Sequence, residues 1–248
     1  MLETIEASRT ELEQLIEATS QSDPDFEAVI LPLEALGDRL HRVWSPVRHL
    51  QSVANAPELR AAYDACLPAL SRYATELGHN QRLYRLYQRL SEGKAAQRDG
   101  VREGGARLLE LAIRDFTLAG VHLPEDKKAR FKAIMEELAQ TEAGFEHNVL
   151  DSAAAWSLHI SDAERVKGIP EHVLEPAELR ARESGKTGWI LQLDQPTYVD
   201  VVTHADDREL RRQLYRAWVT RASDQADYSP DNDNSAVMER ILALRHEA

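Results

Sequence analysis

The stretch Phe26-Glu-Ala-Val-Ile-Leu-Pro-Leu-Glu-Ala-Leu-Gly-Asp-Arg-Leu-His-Arg-Val-Trp-Ser-Pro-Val47 decides the fold class. Phe26, Val29, Ile30, Leu33, Leu36, Leu40, Val43, Trp44 and Val47 recur at helical spacing and build one apolar stripe. A strand would alternate every second residue, and this segment does not. Asp23-Pro24, just upstream, reads as an N-cap followed by a first-turn proline. Pro32 and Pro46 fall inside the pattern and are expected to kink the helix.

The same periodicity continues in both directions. Leu2, Ile5, Leu12, Leu15 and Ile16 predict a first amphipathic helix. Asn55 and Glu58 are spaced as a capping box, and Gly78 is read as the stop of the helix they open. Helices are expected over about 81–90 and about 94–118. Gly100, Gly104 and Gly105 weaken the second, and Gly120 ends it. Pro124 opens another, with Phe131, Ile134, Met135, Leu138, Phe145 and Val149 on its apolar face.

Two short runs break the helical pattern. Trp156-Ser-Leu-His-Ile160 alternates, and Trp189-Ile-Leu-Gln-Leu193 is similarly apolar, so they read as one antiparallel pair. A Pro- and Gly-punctuated helical segment, about 161–185, separates them. Helix resumes at Pro196 and again from Asp206 or Asp207 to about Ala222; a polar loop from Ser223 to Asp233 follows. Asn234 is read as the N-cap of a last helix carrying Val237, Met238, Ile241, Leu242 and Leu244. No stop signal precedes Ala248, so a longer protein is expected. The fold class is mainly α: a multi-helix domain, taken as one region over 1–248, with one small antiparallel β pair.

Composition narrows the function classes. Only 11 Gly and 10 Pro in 248 residues leave little room for the turns of an all-β fold. The formal net charge of −12 lacks the basic footprint of a nucleic-acid surface. One cysteine, Cys66, permits no intrachain disulfide, as expected of a reducing compartment. The acidic start, Met1-Leu-Glu-Thr-Ile-Glu-Ala7, has no basic n-region, and no apolar run reaches the ~20 residues of a membrane span. A cytoplasmic address is expected, with no nucleic-acid or membrane partner.

Several short motifs imitate chemistry. His246-Glu247 matches the opening of HExxH, whose two histidines lie one helical turn apart, but no second histidine follows before Ala248. Gly185-Lys186-Thr187 imitates the tail of a phosphate loop, yet Arg180 stands where the first glycine belongs. Asp231-Asn-Asp233-Asn-Ser235 begins like a calcium loop, but Ala236 and Leu242 replace its Gly and its bidentate Glu. None of the nine histidines lies one helical turn from another, and there is no CxxC. The pairs Glu136/Glu137 and Glu142/Glu146 read as solvated helix face. Cys66 and the four tryptophans, Trp44, Trp156, Trp189 and Trp218, read as core. Between Asp206 and Arg221, five arginines mix with Asp206, Asp207 and Glu209, which favours a salt-bridged helix face over an anion site.

Three stretches carry a family resemblance: Trp189-Ile-Leu-Gln-Leu-Asp-Gln-Pro-Thr-Tyr-Val-Asp-Val-Val202, Leu210-Arg-Arg-Gln-Leu-Tyr-Arg-Ala-Trp-Val-Thr-Arg-Ala-Ser-Asp224 and Asp233-Asn-Ser-Ala-Val-Met-Glu-Arg-Ile-Leu-Ala-Leu-Arg-His-Glu247. Pro32-Leu-Glu34, Ser45-Pro-Val47, Arg114-Asp-Phe116 and Asn148-Val-Leu-Asp151 agree with them in order. Together they resemble the amino-terminal region of the zinc oligopeptidases, the family of oligopeptidase A, thimet oligopeptidase and neurolysin. The resemblance implies a helical, channel-forming wall of an enzyme that cleaves short peptides. It also implies that HExxH, its general-base Glu and the further zinc ligand lie in a carboxy-terminal half absent here. No catalytic, cofactor-binding or metal residue is therefore assigned within 1–248, and the chain alone is expected to be inactive. Zinc is expected only in the full-length family member. The implied partners are short peptides and the catalytic half. The alternative is a stand-alone helical adaptor derived from the same fold. His246-Glu247 is taken as an ordinary helix segment.

Overall fold

The computed structural model describes residues 1–19, 24–54, 56–92 and 103–248. Among these, ten α-helices and one two-stranded sheet follow in the order α1 (Leu2–Thr19), α2 (Phe26–Val53), α3 (Pro57–Gly78), α4 (Gln81–Glu92), α5 (Glu103–Leu118), α6 (Glu125–Ala155), β1 (Ser157–Ile160), α7 (Glu171–Glu183), β2 (Trp189–Gln192), α8 (Gln195–His204), α9 (Arg208–Thr220) and α10 (Ser235–Glu247). Short 3₁₀ turns occupy Ala163–Val166 and Pro230–Asn232. The chain divides into two compact units, Met1–Gln140 with Glu247–Ala248, and Thr141–His246. The boundary falls within α6.

Among the described residues, the regular elements of the first unit are all helices. Leu12 and Ile16 of α1, Val29, Ile30 and Leu36 of α2, Leu83, Leu86 and Leu90 of α4 and Leu109 of α5 form its core. Leu12 and Ile16, and Leu83, Leu86 and Leu90, are three or four residues apart, and Val29 and Leu36 are seven apart, so each of these groups lies on one helix face. α2 runs through both Pro32 and Pro46. Outside the core, the Arg39 guanidinium forks onto Glu11 at 2.7 and 2.6 Å, and Arg82 bridges Glu13 and Glu17 at 2.7 and 2.9 Å. These exposed pairs fix helix register more than they add stability.

Two helix starts differ from the expected ones. α2 is capped by Asp25, whose Oδ1 accepts from Ala28 N at 3.0 Å; the expected cap, Asp23, lies outside the described residues. α3 begins after Ala56, which offers no side-chain cap, and a first-turn proline takes over the start. Asn55, like the 94–102 part of the expected fifth helix, lies outside the described residues. Gly78 does end α3, and packing gives it a second role: a Cβ there would stand 2.7 Å from the Ala119 Cβ.

The second unit is built on the β pair. The strands are antiparallel, with Leu158 opposite Leu191 and Ile160 opposite Trp189. Leu158, Ile160, Trp189 and Leu191 therefore share one face. That face meets a core of Val166, Ile169, Val173 and Ala177 with Val201, Leu210 and Leu214 from α8 and α9. α7 packs on β2, and Arg180 Nη1 donates to Ile190 O at 3.2 Å. α8 is capped by Asp194, which accepts from both Thr197 N and Thr197 Oγ1. α9 is capped by Asp207, which accepts from Glu209 N and Leu210 N.

Candidate functional site

The motifs that imitate chemistry resolve into ordinary structure. Gly185-Lys186-Thr187 is the end of α7: Lys186 N bonds Ala181 O, Gly185 N bonds Arg182 O, and Gly185 has φ +68°. This pair of bonds is a Schellman cap, so the amides that would cradle phosphate are already used to satisfy helix carbonyls. His159 Nε2 donates to Thr187 O at 2.7 Å, tying the turn to β1. In 231–235, Asp233 Oδ1 accepts from Ser235 N and Ser235 Oγ and so serves the start of α10. His246 and Glu247 are exposed, and Glu247 pairs with Arg130.

Asn234 is not the side-chain cap expected of it. Its backbone carbonyl accepts from Met238 N, but its side chain is buried against α6, where it accepts from Asn148 Nδ2 at 2.8 Å and donates to Phe145 O at 3.1 Å. A buried amide must be satisfied from its surroundings, and α6 supplies both partners.

The histidines do not converge. His172 Nε2 lies 2.9 Å from Asp200 Oδ2, and His122 Nε2 lies 3.2 Å from the Tyr84 hydroxyl. His79 is packed beside Phe131, and burial pushes its pKa down against the upward pull of its bond to Ala119. Among the described residues, no three His, Cys, Asp or Glu side chains come together to hold a metal ion. The described residues thus do not assemble the donor set that zinc needs.

The arginine-rich helix α9 is mostly committed internally. Arg212 forks onto Glu209, with Nε to Oε2 at 2.7 Å. Arg165 reaches back to Asp207 at 3.0 Å. Arg211 donates to the carbonyl of Ala205, and the Arg221 guanidinium lies 3.9 Å over the Trp218 ring, which itself stacks on Tyr198. Arg216 is exposed and has no ion pair among the described residues.

Arg216 faces a concavity of about 280 Å³ within the second unit. Arg212, Arg216, Ala217 and Thr220 of α9 form one wall. Trp156 and Leu158 lead in from the start of β1, and Asp227 and Tyr228 close it from the loop after α9. That loop is tightly fastened. Ser152 Oγ accepts from Ala222 N at 2.9 Å, Ala222 O accepts from Asn234 N at 3.0 Å, and Tyr228 Oη donates to Ala217 O at 2.9 Å. Ala222 is held at φ +54°, a conformation costing an L-residue roughly 1–2 kcal/mol, which these bonds offset. Trp156, expected in the core, does pack there, but it also lines this site. Asp227 and Tyr228 carry no signal in the sequence beyond polar loop; only the fold brings them to α9.

The described residues make a largely helical chain with one small antiparallel β pair. The model for the neurolysin/thimet oligopeptidase N-terminal domain matches residues 1–128, and the chain belongs to that family. Oligopeptidase A of Haemophilus influenzae is 39% identical over 243 residues, covering 98% of this chain and 35% of that protein. Oligopeptidase A of Escherichia coli is 40% identical over 228 residues, 90% of this chain and 32% of that protein. The probable cytosolic oligopeptidase A of Arabidopsis thaliana is 33% identical over 254 residues, 100% of this chain and 34% of that protein. The chain thus spans about a third of the length of these relatives. No helix among the described residues is long and apolar enough to cross a membrane.

Proposed function

We propose that this chain is the amino-terminal, channel-forming region of a zinc-dependent oligopeptidase that hydrolyses short peptides in the cytoplasm. One observation carries the reading: 39% identity to a bacterial oligopeptidase A runs through nearly the whole chain, across both compact units. In this reading the 248 residues shape access for peptides. The metal ligands and general base belong to sequence beyond them, so no bond-breaking step is assigned to any residue here. Met238 and Leu242, one turn apart on α10 and 51% and 61% exposed, offer apolar surface that the remainder of such an enzyme would cover.

The test is a cleavage assay on a short, internally quenched peptide with added zinc. The 248-residue chain is expected to give no turnover above buffer. The longer protein that contains it is expected to cleave the peptide and to lose that activity to a chelator. Zinc-dependent turnover by the 248-residue chain itself would sink the proposal.

A further inference from the structure

We infer that the concavity between α9, β1 and the 221–234 loop is a binding site for the carboxy-terminal residue of a peptide that ends in a large apolar side chain. Arg212 and Arg216 are one helical turn apart and so lie on one face of α9. Arg212 is neutralised by Glu209, whereas the Arg216 guanidinium fork has no ion pair among the described residues. A planar fork matches a carboxylate in bidentate geometry. Beside it, Trp156, Leu158 and Tyr228 supply an apolar wall. Trp156 and Leu158 are backed by the core of the second unit, and the Tyr228 hydroxyl is held by Ala217 O. The wall is therefore preformed, which lowers the ordering cost of binding.

Asp227 narrows the ligand class. With Glu209 already matching Arg212, the exposed Asp227 carboxylate matches the remaining charge on Arg216. A dianion such as phosphate would meet Asp227 repulsively. A peptide terminus suits both groups, because its last residue carries the carboxylate and, on the same Cα, a backbone N–H from which Asp227 can accept. About 280 Å³ has room for one large side chain with its carboxylate. The site goes beyond the peptidase reading and does not depend on it, since binding needs neither metal nor hydrolysis.

The 248-residue chain is titrated, by nuclear magnetic resonance, with N-acetyl-glycyl-phenylalanine, with the C-terminal amide of that peptide, and with phenylpropionate. The free acid is expected to bind at least about tenfold more tightly than the amide. Arg216→Gln, an exposed change that leaves the fold intact, should erase that difference and leave amide binding unchanged. Asp227→Ala removes one negative charge for both anions but the N–H acceptor for the peptide alone, so the peptide acid should lose severalfold in affinity relative to phenylpropionate. Equal binding of acid and amide, or an Arg216→Gln variant that binds the acid normally, overturns the site. Phenylpropionate binding as tightly as the peptide, with Asp227→Ala shifting both alike, overturns the peptide assignment, and absence of binding overturns both.

Discussion

At the scale of single residues, Gly188 and Tyr87 make the sharpest demands. Gly188 has φ +91°, and a Cβ there would stand 2.1 Å from Ile160 O, at the paired end of the two strands. Gly185, three residues earlier, has φ +68° with open space around it. Gly185→Ala should therefore cost only the left-handed backbone term, roughly 1–2 kcal/mol. Gly188→Ala adds a backbone collision and should cost clearly more, read as the difference between their denaturant midpoints at constant slope. Equal losses would show that the strand end relaxes freely. In the other unit, burial, with Glu34 nearby, pushes the Tyr87 phenol up to about 12. A raised phenol pKa means that the folded state favours the neutral form. Its contribution to stability is full below the unfolded pKa of about 10 and is lost as pH rises through about 12. Ultraviolet titration of tyrosinate should show a late step that Tyr87→Phe removes.

At the scale of elements, Asp207 joins a cap to an ion pair. The hydrogen bond from Arg165 is the main cause that holds its carboxyl below the usual range; burial opposes it, and the amides of Leu210 and Glu209 reinforce it. A depressed carboxyl pKa stabilises the fold above the unfolded value of about 3.9, and that contribution is lost as pH falls through the lower folded value. Asp207→Ala should cost ~1 kcal/mol at neutral pH through loss of the cap. Asp207→Asn keeps the cap acceptor and should cost less, while flattening the acid limb of the stability profile. An unchanged acid limb in Asp207→Asn would remove Arg165 from the account. Asp207 is legible in the sequence as a helix start, as are the helices and the β pair, because spacing alone fixes which face is apolar. Caps are less legible where tertiary contacts compete. Asn234 looks like a helix start, yet its amide is claimed by Phe145 and Asn148, far away in sequence. The concavity is illegible for the same reason. Its arginines read correctly as a largely paired helix face, but Asp227 and Tyr228 acquire meaning only when Ser152 fastens their loop.

At the scale of the molecule, the two units have separate cores, one centred on α1, α2 and α4, the other on the β pair with α7 to α9. Leu90 and Leu214 are each fully buried, one in each core. Truncating either to Ala should cost about 2–5 kcal/mol, since the removed methyl groups leave a cavity in close-packed surroundings. Where that loss is felt depends on whether the cores unfold together. Contacts within each unit define both of them, so each is expected to behave as its own cooperative block. Amide hydrogen exchange then discriminates. Leu90→Ala should lower protection across α1, α2, α4 and α5 and leave β1, β2, α8 and α9 near their original values, with Leu214→Ala giving the reverse. α6 carries the boundary and should respond to both, its first part with Leu90 and the part carrying Ser152 with Leu214. Equal loss of protection everywhere in either variant would mean that α6 couples the cores into a single transition. The chain would then open as one cooperative unit instead of two.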